Sequence, residues 1–274
     1  MSVLLLNHNS GRFINETIQS IVLQSYTKWE MIIVDDGSLD GSLEVIQRWE
    51  GCDARIKVIQ LPQKTRKTKA LNLGLARTKG EYIARVDSDD IWLPMLLEKQ
   101  LNLMEQVENG DIGVCGANCL LIDSRGQVTG KKEFPLSHEE CIRAFWYRNP
   151  ICQPAALIRK CCFEQCGGYD EGLDYAEDLE LWIRFGQQFR LTNLPEYLIK
   201  YRLYSANSTL REHRANVNIT LKIRKQAISK YGYRISCNQY VSFAITWCMQ
   251  WLPATLVRHF FHKFFLTRYQ SFSY

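Results

Sequence analysis

Residues Tyr82-Ile83-Ala84-Arg85-Val86-Asp87-Ser88-Asp89-Asp90 run from a mostly apolar stretch straight into three carboxylates. The apolar part reads as a buried strand, and clustering acids at the tip of a buried strand is costly unless something cationic binds there. Successive side chains of an extended chain alternate faces, so Asp87 and Asp89 reach the same way and can share a divalent ion, while Asp90 points elsewhere or begins the next helix. An Asp-rich turn capping a helix that opens near Pro94 would explain these residues in isolation. The neighbouring segments favour the ion.

Two earlier apolar runs finish in the same way. Val3-Leu4-Leu5-Leu6 ends in Asn7-His8-Asn9-Ser10-Gly11, and Met31-Ile32-Ile33-Val34 ends in Asp35-Asp36-Gly37-Ser38. Between them Phe13, Ile14, Ile18, Ile21 and Val22 share one helical face, and Leu43, Val45, Ile46 and Trp49 mark a second helix. The resulting β-α-β-α-β alternation predicts an α/β fold. Right-handed crossovers place all strand carboxyl ends on one edge, where open α/β sheets bind their ligands, so the three polar clusters should converge on one molecule.

Together these segments resemble the GT-A nucleotide-diphospho-sugar-binding domain of family 2 glycosyltransferases. The resemblance rests on the Leu6-Asn7-His8-Asn9 turn, Val34-Asp35-Asp36-Gly37-Ser38, Ala70-Leu71-Asn72-Leu73-Gly74, and Lys79-Gly80-Glu81-Tyr82-Ile83 leading into Asp87-Ser88-Asp89-Asp90. Further on, Gly167-Gly168-Tyr169-Asp170-Glu171 and Ala176-Glu177-Asp178-Leu179-Glu180-Leu181-Trp182 are similar to the family's acceptor-side block. Each piece alone is weak; in this order from about residue 2 to about residue 204 they are specific. The resemblance implies a Rossmann-like, mostly parallel sheet flanked by helices. A catalytic domain would cover about 1–210, with a nucleotide-sugar half to about 120 and an acceptor half over about 121–210, followed by a helical extension over 211–274.

It also implies inverting, metal-assisted transfer from a nucleotide-diphosphate sugar, with a UDP-sugar expected first, to a saccharide or lipid-linked acceptor of a surface polysaccharide or glycoconjugate. Asn7, His8, Asn9, Asp36, Lys69, Asp87 and Ser88 would hold the nucleotide sugar. Asp87 and Asp89 would hold Mn2+ or Mg2+, which suit hard carboxylate and phosphate oxygens in a site without thiolates or a His cluster. Asp178 would be the general base, with Glu177 and Gln153 on the acceptor. The acids could instead merely favour a helix N-terminus, and the run Lys64-Thr65-Arg66-Lys67-Thr68-Lys69, from which Lys69 or Arg66 is chosen for the phosphates, could be a solvated surface. His8 stands where the family often has Tyr, and Gln153 where it often has His. Gln hydrogen-bonds but does not titrate.

Other classes fit less well. A Rossmann dehydrogenase or methyltransferase needs Gly-x-Gly-x-x-Gly after the first strand, and Asn7–Gly11 holds one glycine. A non-catalytic sugar-nucleotide-binding or scaffold protein of a polysaccharide assembly complex remains as the alternative, against which Asp87-Ser88-Asp89 and Glu177-Asp178 are both intact.

At 274 residues, 46% hydrophobic and 23% charged, the chain can bury a substantial core. Its ten cysteines lack Cys-x-x-Cys spacing and no basic-plus-apolar leader precedes Val3, which predicts reduced thiols in the cytosol. Leu221, Ile223, Ala227 and Ile228 alternate with Lys222, Arg224, Lys225 and Lys230 as a basic amphipathic helix. The aromatic segments Tyr240–Pro253 and Val257–Phe265 are too interrupted to span a bilayer, so they should lie on the inner face of a membrane or pack on the domain. A net charge of +5 suits anionic lipid and is too diffuse for nucleic acid.

Overall fold

The computed structural model describes residues 1–106, 110–203 and 213–249. Strands β1 (Ser2–Asn7), β2 (Glu30–Asp35), β3 (Ile56–Gln60) and β4 (Tyr82–Asp87) alternate with helices α1 (Ile14–Val22), α2 (Ser42–Cys52) and α3 (Lys67–Leu75). They form a parallel set in the order β3-β2-β1-β4. Strands covered by helices on both faces need continuous apolar runs, and β1, β2 and β4 have them. The sequence reading passed over β3 because it is the sheet edge, where exposed Lys57 and Gln60 interrupt the apolar run. β1 lies between β2 and β4, so Asn7 pairs with Asp35 and Leu6 with Asp87. The three polar tips are therefore neighbours.

The chain continues through β5 (Ile91–Trp92), α4 (Leu96–Glu105), β6 (Ile112–Ile122), β7 (Val128–Lys132), α5 (His138–Ala144), a 3-10 turn at Gln153–Ala155, β8 (Leu157–Arg159), α6 (Lys160–Cys166), α7 (Glu177–Phe185) and β9 (Arg190–Arg202). Ser137 and Glu140 close a capping box on α5. β8 runs antiparallel to β4 and β6, β6 pairs parallel with the long β9, and β5 and β7 add antiparallel at β9 and β6. The expected α/β half is present, but the sheet as a whole is mixed rather than mostly parallel. Asp90 does not open a helix: it precedes β5, and its carboxylate accepts the Arg202 backbone N–H at 2.8 Å.

Apolar cores fill both faces of the sheet. Ile14, Ile18, Met31 and Leu97 lie in one, and Leu4, Val34, Leu71, Trp146, Trp182 and Phe185 in the other. Helix α8 (His213–Ser229) adds Ile223 and Ala227 to the second core, so the basic amphipathic helix lays its apolar face on the protein. Helix α9 (Cys237–Met249) exposes Tyr240, Val241 and Ile245. Among the described residues no helix is long and apolar enough to cross a membrane. The expected domain boundary near 210 and the aromatic segments past residue 249 lie outside the described residues.

Helix α3 packs on β1 and β2 through Gly74, where a Cβ would meet Leu4 Cδ1 at 2.4 Å and Val34 Cγ2 at 2.7 Å. Alanine would gain about 1 kcal/mol of helix propensity, but overpacking a closed core costs about 1–3 kcal/mol. Leu4 and Val34 are fully buried and cannot yield, so packing wins. Gly74→Ala should lower the thermal midpoint by about 2–6 °C; a rise in calorimetry would show that α3 can lift off the sheet.

Candidate active site

A cleft of about 580 Å³ opens where β1, β2 and β4 end, and His8, Asp36, Lys64, Lys67, Asp87, Ser88 and Asp89 line its first wall. His8 Nδ1 lies 2.8 Å from the Asp36 carbonyl. The Asp36 carboxylate accepts the Thr65 N–H at 2.8 Å and its hydroxyl at 2.9 Å, which fixes the loop before α3 to the tip of β2. Ser88 shares a 2.6 Å hydroxyl contact with Ser10.

Three expected nucleotide-sugar residues do not line the cleft. Asn7 is fully buried, with Nδ2 in hydrogen-bond reach of Asp35, Ser38 and Ser42. Asn9 adopts φ 54° and accepts the Leu39 N–H at 2.8 Å. Both build the turn that carries His8. Lys69 is exposed: two residues along a helix is more than half a turn, so with Lys67 in the cleft Lys69 faces away. The basic run thus contributes Lys64 and Lys67, while Arg66 pairs at the surface with Asp174 at 3.5 Å.

The floor is a set of paired charges. Arg85, 1% exposed, reaches Asp87 Oδ1 at 2.6 Å, and Lys67 Nζ reaches Glu177 Oε1 at 2.6 Å. Burial works to raise the Asp87 pKa, but Arg85 and Lys67 outweigh it and hold the carboxyl below its usual range. Burial likewise opposes the Lys67 charge, and Glu177 and Asp87 outweigh it, so the ammonium persists. Asp178 follows Glu177 at the start of α7. Ala176, in the left-handed region at φ 54°, turns the chain so that both acids fall in the first turn. Asp178 Oδ2 accepts from Asn149 Nδ2 at 2.5 Å and Oδ1 from the Leu179 N–H at 2.8 Å. Burial and then the Glu177 charge lift its pKa to about 6.

Gln153 also lines the cleft, 5% exposed, and its Nε2 has no partner among the described residues. Arg202 at the end of β9 braces the Asp-rich turn: Nε donates to the Asp89 carbonyl at 2.8 Å, Nη2 to Glu16 at 2.6 Å, and the guanidinium lies over Phe13 at 4.3 Å. Burial, with Asp89 and Asp87, pushes the Asp90 pKa well up, and its Oδ2 has no partner among the described residues. Asp90 is thus a bracket for β9.

The donor set suits a hard divalent ion in part. Asp87 and Asp89 supply carboxylate oxygens at the cleft, yet no group of three or more His, Cys, Asp or Glu among the described residues could enclose an ion unaided. Oxygens of a bound diphosphate would have to complete the coordination.

Sequence reading missed Arg85, Asn149 and Arg202, preferred Lys69 or Arg66 to Lys67 within the basic run, and in α8 read Arg224 only as part of a basic amphipathic face. One signal was available: Arg85 and Asp87 stand two apart on a strand, hence on one face, and an arginine inside an apolar run needs such a partner.

Residues 2–161 match the family described as Glycosyl transferase family 2. An uncharacterized glycosyltransferase of Haemophilus influenzae is 31% identical over 86% of this chain and 75% of its own length. The O-antigen biosynthesis glycosyltransferase WbnJ of Escherichia coli is 28% identical over 76% and 81%. Among solved structures, Staphylococcus aureus TarS 1–349 with UDP-GlcNAc superposes with a TM-score of 0.64 at 20% identity, over 81% of this chain and 65% of TarS 1–349. The mannosyltransferase PcManGT of Pyrobaculum calidifontis, with GDP-Man and Mn2+, gives 0.65 at 15% identity, over 92% and 70%. The fold is that of the GT-A glycosyltransferases. The chain belongs to glycosyl transferase family 2.

The raised Asp178 pKa has a stability consequence. Between the unfolded value of 3.8 and about 6 the native state holds the extra proton, so stability falls as pH rises through that window. Asp178→Asn removes the penalty and should stabilise the fold at pH 8 by on the order of 1–3 kcal/mol, with the gain vanishing near pH 4. A pH-independent difference in thermal midpoint would show that Asp178 is not held as described.

Proposed function

We propose that the protein transfers a sugar from a nucleoside-diphosphate sugar to an acceptor hydroxyl with inversion at the anomeric carbon, using Asp178 as general base. The observation that carries this is the Asp178 carboxylate, held by Asn149 and the Leu179 N–H in the same cleft as the Asp87 and Asp89 strand tip, where burial and the Glu177 charge raise its pKa to about 6. A base must be mostly ionised at working pH yet keep affinity for a proton, and a pKa near 6 meets both demands. In one displacement the acceptor oxygen bonds to the anomeric carbon, the bond to the diphosphate breaks, and the hydroxyl proton passes to Asp178.

The remaining residues divide between the two substrates. His8 and Asp36 take the nucleoside, with Ser88 and Asp87 beside them. Lys67 and Lys64 face the phosphates in the place first expected for Lys69. Held by Asp87, Asp89 and the diphosphate, Mn2+ or Mg2+ would neutralise the departing charge. Gln153 offers its unpartnered Nε2–H to the acceptor, and Glu177 keeps Lys67 in place. UDP-GlcNAc in TarS and GDP-Man in PcManGT support a nucleotide-sugar donor, with a UDP-sugar tested first. The name of WbnJ supports a saccharide or lipid-linked acceptor in surface-polysaccharide assembly, and the exposed Tyr240, Val241 and Ile245 support peripheral contact with the inner membrane face.

Asp178→Asn should cut turnover by about 10²–10⁴-fold while leaving nucleotide affinity unchanged, and Asp89→Ala should weaken only metal-dependent nucleotide binding. Thermal-shift titration of UDP, GDP, dTDP and CDP with and without Mn2+, followed by turnover assays, separates these effects. Full turnover by Asp178→Asn would remove the base assignment. Nucleotide binding without turnover of any sugar by the wild type would favour the scaffold role. The pH profile of kcat/KM should rise with unit slope and level off above about pH 6.

A further inference from the structure

Asn216, Thr220 and Arg224 follow one another at four-residue intervals on α8, which places them on one stripe of the helix. All three line the cleft that holds Asp178. Val217, Leu221, Ile223 and Ala227 are buried and seat the helix against the domain. The helix contains Arg214, Lys222, Arg224 and Lys225 and no carboxylate. Lys222 and Lys225 are exposed, as solvated charges should be, whereas Arg224 is 4% exposed. Burial lowers its pKa to about 10, so it stays charged at neutral pH.

The position of Arg224 relates it to the acceptor rather than to the donor. Its Nε donates to the Phe145 carbonyl at 2.7 Å, four residues before Asn149, whose side chain holds Asp178. The nucleotide wall comes instead from β1, β2, β4 and α3. The Thr220 hydroxyl donates to Asn216 Oδ1 at 3.4 Å and so orients the Asn216 amide, whose N–H groups with the Arg224 guanidinium form a donor set suited to oxyanions.

We propose that this face of α8 is an anion subsite, so that the acceptor carries a phosphate, diphosphate or carboxylate read by Arg224 with Thr220 and Asn216. The proposal rests on the transferase reading and names the class of its second substrate. Protein saturated with UDP and Mn2+, which fills the donor phosphate site, is titrated calorimetrically with geranyl diphosphate, methyl glucuronide and methyl glucoside. An anionic probe should bind and the neutral glucoside should not. Preference for the diphosphate would indicate a lipid-linked acceptor, and preference for the glucuronide an acidic sugar. Arg224→Gln should weaken the anion about tenfold, Arg224→Lys should recover part of the loss, and UDP affinity should be unchanged. Should Arg224→Gln fail to fold, Thr220→Val and Asn216→Ala carry the test with losses of about two- to fivefold. Anion affinity indifferent to all these variants, no anion binding, or a parallel fall in UDP affinity overturns the subsite. Failure of the wild type to bind any nucleoside diphosphate sinks the transferase reading itself, a result the first titration distinguishes.

Discussion

Charges taken out of water must be paired, and in this protein that requirement joins the two halves of the site. Arg85 answers Asp87 within the parallel sheet, and Lys67 on α3 answers Glu177 on α7. Arg85 and Glu177 are the buried members, so removing Asp87 or Lys67 would leave a buried charge uncompensated, which costs more than the pair itself contributes. Two cations therefore stand among three carboxylates, Asp87, Glu177 and Asp178. The unmatched one is Asp178, and its pKa rises for that reason as well as from burial. The strength of the proposed base follows from the pairing of its neighbours, not from any property of aspartate alone.

That pairing is possible because β1 separates β2 from β4 and aligns their tips. The second half of the sheet holds the tips in place from the far side. β9 is long enough to bring Arg202 to the Asp-rich turn, where it binds the Asp89 carbonyl, accompanies the bond from its own N–H to Asp90, and reaches back to Glu16 on α1. A mixed sheet gives this reach, since β9 runs parallel to β6 and crosses toward the mouth of the cleft beside antiparallel β5.

Much of this was legible in the sequence wherever a local pattern carried it. Continuous apolar runs gave β1, β2 and β4, helical spacing gave α1 and α2, and the polar endings of the strands pointed to one edge. The edge strand β3 was not legible, because an edge needs only half the apolar content of a central strand. Side-chain aim was harder still. Lys67 and Lys69 are equivalent in composition and differ only in the phase of α3, which depends on where the helix begins. Asn7 looked like a ligand and serves as an internal strut, because nothing local reports that Ser38 and Ser42 will fold back onto it. Arg224 and Asn149 belong to the cleft only through contacts between residues 29 and 79 positions apart.

The distribution of titrating groups also bears on the chemistry. Gln153 lines the cleft as a group that can donate and accept hydrogen bonds without taking up a proton near neutral pH. Asp87 is held ionised by Arg85 and Lys67, and Lys67 is held charged by Glu177 and Asp87. Asp87 and Lys67 therefore keep a fixed charge across the neutral range, which the proposed transfer can use to orient substrates without a competing titration. Asp178, at the start of α7 with Asn149 holding its carboxylate, has a pKa raised to about 6, which is the property the proposed base requires.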